Sequence, residues 1–404
     1  MSISIYTLTS DLHDEQSVDS TTQAFLATLG HDYSLRGADY SDYGTAPLSL
    51  IFVRTGGTEG RFRELLPQLL QQSDQPFCLL TSGTNNSLAA SMEILSYLRA
   101  KGYKGEILHG DGPYIQHRIE VLQRVEQARR RLRNCRLGII GKPSDWLIAS
   151  GYDPVKIFSS LGVTLVDIPM AELLSVYHAL PMEGEVVGTD HTDREALLQS
   201  LPGANHIYRA LKHLVADYQL DGLTLRCFDL LTSIRNTGCM ALARLNGEGI
   251  VAGCEGDVPT MLTMMVSTAL FGVSGFQANL STLDITTGEL LFAHCTIPLN
   301  MVERYELDTH FESGIGVGIR GYMEPGPVTI FKIAGDMSRV FIAEGQLLTT
   351  THKENLCRTQ QLIRLDDPAQ ARYFLTEPIG THHVIIPGYV SDTLSLLIGR
   401  QIMV

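Results

Sequence analysis

Short apolar runs alternate with amphipathic stretches along the first third of the chain. Ile3–Leu8, Leu48–Arg54, Phe77–Thr81 and Glu106–His109 have the length and apolar content that buried parallel strands need. The clearest helical pattern follows Asn86, where Leu88, Met92, Leu95 and Leu98 recur at spacings of four and three until Gly102 ends it. This alternation predicts an open α/β domain over residues 1–134. Its last helix, near Tyr114–Arg133, carries Arg129, Arg130, Arg131 and Arg133 and reads as a solvated linker.

A second α/β pattern opens at Cys135 and is assigned to residues 135–300. Leu137–Ile140, Val163–Ile168 and Leu223–Phe228 read as strands, and Ala171–Leu180 and Ala204–Tyr218 as helices. A further helix is predicted through Phe271, with Asp257 as its N-cap and Pro259 in its first turn. Beyond residue 300 the texture changes. Gly316–Arg320, Val328–Ile333, Arg339–Glu344 and His383–Pro387 read as strands between Gly/Pro turns, with a helix at Ser391–Ile398. The expected fold class is α/β: two doubly wound α/β domains followed by a small antiparallel β-barrel-like C-terminal domain, residues 301–404.

Composition narrows the function classes. The 404 residues are 44% hydrophobic and 19% charged, ordinary for a globular protein, and carry a formal charge of −13. That acidic balance argues against nucleic acid or an anionic membrane as partner. Seven dispersed cysteines without a CxxC pair suit a reducing compartment, with Cys254 and Cys295 read as small buried hydrophobes. The start of the chain reads as a strand rather than a signal peptide, and no long uncharged apolar run occurs, so a cytoplasmic location is expected.

The segment Gly253-Cys254-Glu255-Gly256-Asp257-Val258-Pro259 is the chief chemical candidate. Two carboxylates flank a glycine at a strand-to-helix junction, where open α/β sheets collect ligands, and carboxylate oxygen suits a hard cation. The plain alternative is that Asp257 only caps the helix and Glu255 is a solvated loop residue. Asn279, Asp284 and His294 follow, and His382 and His383 adjoin an apolar run. If that run is a strand, the two rings point to opposite faces and only one can serve a given metal. Imidazole beside carboxylates suits Mn²⁺, Fe²⁺ or Zn²⁺. Gly314–Gly318 lacks the spacing of a nucleotide fingerprint, and no Walker, HExxH or GxSxG motif occurs.

Several segments together resemble the L-fucose isomerase-like family, and more distantly L-arabinose isomerase. They are Asn85–Ala90, Ile107–Gly110, Arg136–Leu147, Gly253–Pro259, Ala293–Thr296 and His382–Val384, whose order and spacing span nearly the whole chain. The resemblance implies a metal-dependent enzyme that interconverts an aldose and a ketose through an enediolate, with a divalent metal, usually Mn²⁺. It also implies a homo-oligomer, a trimer or hexamer, with the site at a subunit interface. Carried over, Glu255 matches the first metal-binding carboxylate and one of His382 and His383 the C-terminal histidine ligand, with His383 favoured because the second of the pair fits the arabinose isomerase pattern. Asn279 stands where a second acidic ligand is expected, so Asp257 or Asp284 is left to join Glu255 in catalysis, and Asn279 to coordinate through its amide oxygen. His382, His294 and Trp146 are then expected to bind the sugar. The alternatives are a non-catalytic sugar-binding protein on the same scaffold, motivated by Asn279, or a sugar epimerase or lyase.

Overall fold

Burial on both faces marks the central strands of the first half. The computed structural model describes residues 3–30, 32–182 and 195–401. Strands β1 (Ile3–Leu8), β3 (Ser49–Val53) and β4 (Phe77–Leu80) are buried at every position, as expected for parallel strands covered by helices on both sides. With β2 (Tyr33–Gly37) and β5 (Gly105–Leu108) they form a five-stranded parallel sheet in the order β2-β1-β3-β4-β5. Strand β2 has no counterpart among the predicted strands, because it is a polar and half-exposed edge strand with no apolar run to announce it. The helix after Asn86 spans Ser87–Ala100, but its core face is Ala90, Ser91, Ile94 and Leu98, while Met92 is exposed. Small residues lie closest to the sheet, so counting large apolar side chains turns the predicted face away from the true one.

The chain divides into two compact units, Met1–Gln127 and Ala128–Val404. The second holds two layers of strand structure. Strands β6 (Arg136–Ile140), β7 (Thr164–Ile168), β8 (Gly222–Leu225) and β9 (Val251–Cys254) form a parallel sheet in the order β7-β6-β8-β9. Strands β10 (Phe276–Asp284) and β11 (Glu289–His294) open a closed barrel. A separate hairpin, β12 (Arg304–Asp308) with β13 (Gly318–Tyr322), follows. The barrel is completed by β14 (Gly326–Ile333), β15 (Val340–Thr350), β16 (Thr359–Leu365) and β17 (His382–Pro387), in the order β10-β11-β16-β15-β14-β17. The barrel therefore draws its first two strands from residues 276–294, ahead of the expected change of texture at 300. Phe276, Leu290, Phe292, Ile330, Ile363 and Ile385 belong to its core cluster.

Helix Val258–Phe271 packs against β8 and β9 of the sheet and against β10, β14 and β17 of the barrel. It is apolar nearly all round and buried at almost every position, as a helix between two layers must be. Its first turn therefore lies where the carboxyl end of β9 meets the barrel. Among the described residues no helix is long and apolar enough to cross a membrane.

Candidate active site

The site begins at the end of β9. Cys254 ends the strand, Glu255 and Gly256 turn the chain with φ of 64° and 67°, and Asp257 caps the next helix. A non-glycine residue at such a φ is strained, and the surroundings hold it there. The Gly256 N–H donates to the Leu225 carbonyl at 3.0 Å, and the Ser144 N–H donates to the Glu255 carbonyl at 2.9 Å. A Cβ on Gly256 would lie 2.5 Å from the Lys142 carbonyl oxygen, so that position requires glycine. The turn thus aims the Glu255 side chain away from the sheet, towards one rim of the barrel.

That rim supplies two imidazoles, His294 at the end of β11 and His382 at the start of β17. Their ring centroids are 5.3 Å apart. Glu255 Oε1 lies 3.4 Å from His382 Nε2 and 3.7 Å from His294 Nε2. Its other oxygen, Oε2, accepts the Trp146 indole N–H at 2.6 Å. One ligand atom from each of Glu255, His294 and His382 lies within 4.8 Å of the other two.

Both rings are held from behind. His294 Nδ1 is 2.9 Å from the Thr296 hydroxyl, and His382 Nδ1–H donates to Asp257 Oδ2 at 2.8 Å. Metal-binding histidines characteristically have their second nitrogen tied in this way. The His382 Nε2 is buried and has no hydrogen-bond partner. A buried imidazole nitrogen rarely stays unpaired without a reason. Two imidazoles and one carboxylate form a donor set that suits a borderline divalent cation, so these residues fit a metal.

Electrostatics agree with the geometry. Burial pushes the Glu255 carboxyl up, but the His294 and His382 imidazoles outweigh it and hold the group well below the usual carboxylate range. Burial also opposes the charge on Asp257, where Lys332 and then His382 more than compensate. For His382, burial is overcome by Asp257 and Glu255, and its pKa is pushed up to about 9. Burial, against the pull of Glu255, lowers His294.

The structure brings together Glu255, Asp257, His294, His382 and Trp146, and separates the remaining candidates from them. His383 points the other way from His382, into an aromatic pocket of Phe292, Phe341 and Phe374, with its Nε2 3.0 Å from the Tyr373 hydroxyl. Burial pushes its pKa down to about 3, leaving the ring neutral. The histidine that meets the carboxylates is thus His382, not His383. Asn279 pairs across the ladder with His382, but its side-chain oxygen accepts the Thr381 hydroxyl at 2.7 Å. Asp284 caps the exposed hairpin turn through the Thr286 and Thr287 N–H groups. At about 3.3 Å of rise per residue, that turn is roughly 16 Å along β10 from Asn279. Asp257 does sit at the site, yet it is fully buried and every contact it makes is with a donor, so it orients His382 rather than meeting solvent.

Some neighbours have no sequence signal that marks them as site residues. Phe228 packs edge-on to Trp146, with centroids 4.8 Å apart, and also meets the His310 ring. His310 is mostly buried, and its pKa is pushed down to about 4, by burial first and then by His294, so it is a neutral ring. Lys332 had a signal: it is a lysine inside the apolar run Val328–Ile333.

No family model matches the chain. Curated proteins do, at low identity. The chain is 20% identical over 285 residues to the sulfoquinovose isomerase of Alkalicoccus urumqiensis, covering 67% of this chain and 64% of that protein. It is 23% identical over 283 residues to the sulfoquinovose isomerase of Priestia aryabhattai, covering 65% and 62%. The protein of the same name from Clostridium sp. (strain MSTE9) is 25% identical over 224 residues, covering 53% and 48%. The chain spans less than two thirds of the length of these relatives. Its distant relatives are thus sugar isomerases.

Proposed function

We propose that this chain is a metal-dependent aldose–ketose isomerase with its centre at Glu255, His294 and His382. The observation that carries the reading is the buried, unpaired His382 Nε2, which shares a small space with a second imidazole and an ionised carboxylate. A divalent cation held there, Mn²⁺ in our reading, would polarise the two oxygens at C1 and C2 of an open-chain sugar and stabilise the enediolate.

The chain's own residues do the rest. Glu255 is the carboxylate placed to carry a proton between C1 and C2, since Asp257 is committed to His382 and Asp284 caps a distant turn. A single carboxylate removes and returns the proton on one face of the sugar. Trp146, 52% exposed, offers a flat apolar face beside Glu255 for the sugar's C–H surface. The neutral His310 ring, packed on Phe228, adds a hydrogen-bonding group near the same place. The names of the relatives make sulfoquinovose the first substrate to try, and the resemblance to the L-fucose isomerase-like family adds L-fucose and L-arabinose. A cytoplasmic homo-oligomer is part of the same reading.

The test is to incubate the protein with Mn²⁺ and these sugars in deuterated water and follow C1 and C2 by NMR. Ketose formation with deuterium at either carbon is the expected result. Absence of exchange with every sugar, from protein that binds Mn²⁺ and is folded, would overturn catalysis. Sugar binding undiminished by a chelator would then favour the non-catalytic binder that Asn279 suggests.

A further inference from the structure

Lys332 is only 1% exposed, near the end of an otherwise apolar barrel strand. A buried ammonium is costly unless it is paired and hydrogen-bonded. Its ammonium donates to the Thr260 hydroxyl and lies 3.6 Å from Asp257 Oδ2. It therefore stands at the head of a chain of hydrogen bonds that ends on His382.

We propose that Lys332 and Thr260 are positioning residues that dictate which nitrogen of His382 bears a proton, so that the other is left free for a cation. This rests on reading the site as a metal centre. The donors and acceptors can be counted. An ammonium only donates. The Thr260 hydroxyl accepts from it, so its single hydrogen goes to Asp257 Oδ2, 2.8 Å away. The Thr260 backbone N–H donates to Oδ1 at 2.9 Å. Every neighbour of the carboxylate presents a hydrogen, and none offers a lone pair to receive one from it. Asp257 is thereby held as a pure acceptor, and the fourth contact, His382 Nδ1 at 2.8 Å, must carry a hydrogen. In the neutral ring that a cation requires, the lone pair is then on Nε2, facing Glu255 Oε1 at 3.4 Å. The other tautomer would set a lone pair of Nδ1 against the Asp257 carboxylate and an N–H where the cation belongs.

Without the lysine this order relaxes. The Thr260 hydroxyl need no longer donate to Asp257, the carboxyl can keep a proton and donate it in a hydrogen bond to Nδ1, and the ring's own hydrogen then sits on Nε2, where the cation belongs. The direction of the effect separates positioning from plain electrostatics. Removing a nearby positive charge would by itself strengthen cation binding. Loss of the enforced tautomer weakens it, by about 10- to 100-fold for a partner of this kind.

The experiment is calorimetric titration of the metal-free full chain with Zn²⁺ and Mn²⁺, with proton NMR of the metal-free form, at a pH above the His382 pKa, to observe the His382 Nδ1–H as a far-downfield resonance. Lys332→Met and Thr260→Val should each bind metal about 10- to 100-fold more weakly and lose that resonance. Lys332→Gln, which keeps a donor but no charge, should restore both. Circular dichroism melts confirm that each variant is folded, and Thr260→Val tests the same chain of hydrogen bonds from its middle. A folded Lys332→Met that binds metal as tightly as the parent or tighter, with the resonance intact, overturns the inference alone. A parent chain that binds neither metal overturns the metal-centre reading and this inference with it.

Discussion

Glu255 faces two ways: one oxygen looks at two imidazoles and the other takes the hydrogen of an indole. Replacing it by Gln keeps the shape but removes both the charge and the ability to hold a proton. Glu255→Gln should lower isomerisation by roughly 10²–10⁴-fold, measured as solvent deuterium uptake into the sugar. His382 sets the pH dependence. Its pKa of about 9 means that the metal-free ring is protonated at neutral pH, because its contacts with Asp257 and Glu255 outweigh burial, even with the positive charge of Lys332 3.6 Å from the same Asp257 oxygen. A cation must expel that proton. Affinity should therefore rise with pH, by about tenfold per unit for a single displaced proton, and level off above the pKa. Calorimetry at two pH values a unit apart, in buffers of different ionisation enthalpy, measures both the slope and the proton released. The sequence could name Glu255 as a ligand candidate because a carboxylate beside glycine at a strand end is a local pattern. It could not show that Asp257 is an orienting group, because that depends on Lys332 and His382, which are remote along the chain.

Strand β17 carries two neighbouring histidines to different surroundings, one meeting carboxylates and the other aromatic rings. The period of a strand says that adjacent side chains oppose each other, and this much was legible before any coordinates. Which histidine faces the carboxylates was not, because the face is set by pairing β17 with β10 and β14 in the closed barrel. His382→Gln should abolish metal binding. His383→Phe should leave it unchanged but cost about 1–3 kcal/mol of stability, because the Tyr373 hydroxyl loses its acceptor in a buried pocket. Parallel titrations and melts of the two variants test the distinction. The turn after β9 is the second element-scale feature. Gly256→Ala forces a Cβ against the Lys142 carbonyl at a left-handed φ. The cost should be about 1–3 kcal/mol, seen as a lower melting temperature together with weaker metal binding.

Within residues 128–404 the site is assembled from two layers, with Glu255 and Trp146 from the loops of the parallel sheet and His294 and His382 from the barrel. Strand and helix order along the chain was largely readable, because buried parallel strands are apolar throughout. Closure of the barrel was not, since its first two strands sit directly after the sheet's last helix and pair with β17 and β16, which come much later in the chain. A cation gripping both layers stabilises the folded state alone. At a hundred times its dissociation constant it should add about 2.7 kcal/mol, read as a raised melting temperature that a chelator reverses. One last consequence comes from Trp146, the single tryptophan among 404 residues. Because its indole hydrogen rests on Glu255, the indole emission of the polypeptide is an optical gauge of that carboxylate, with no second indole to subtract.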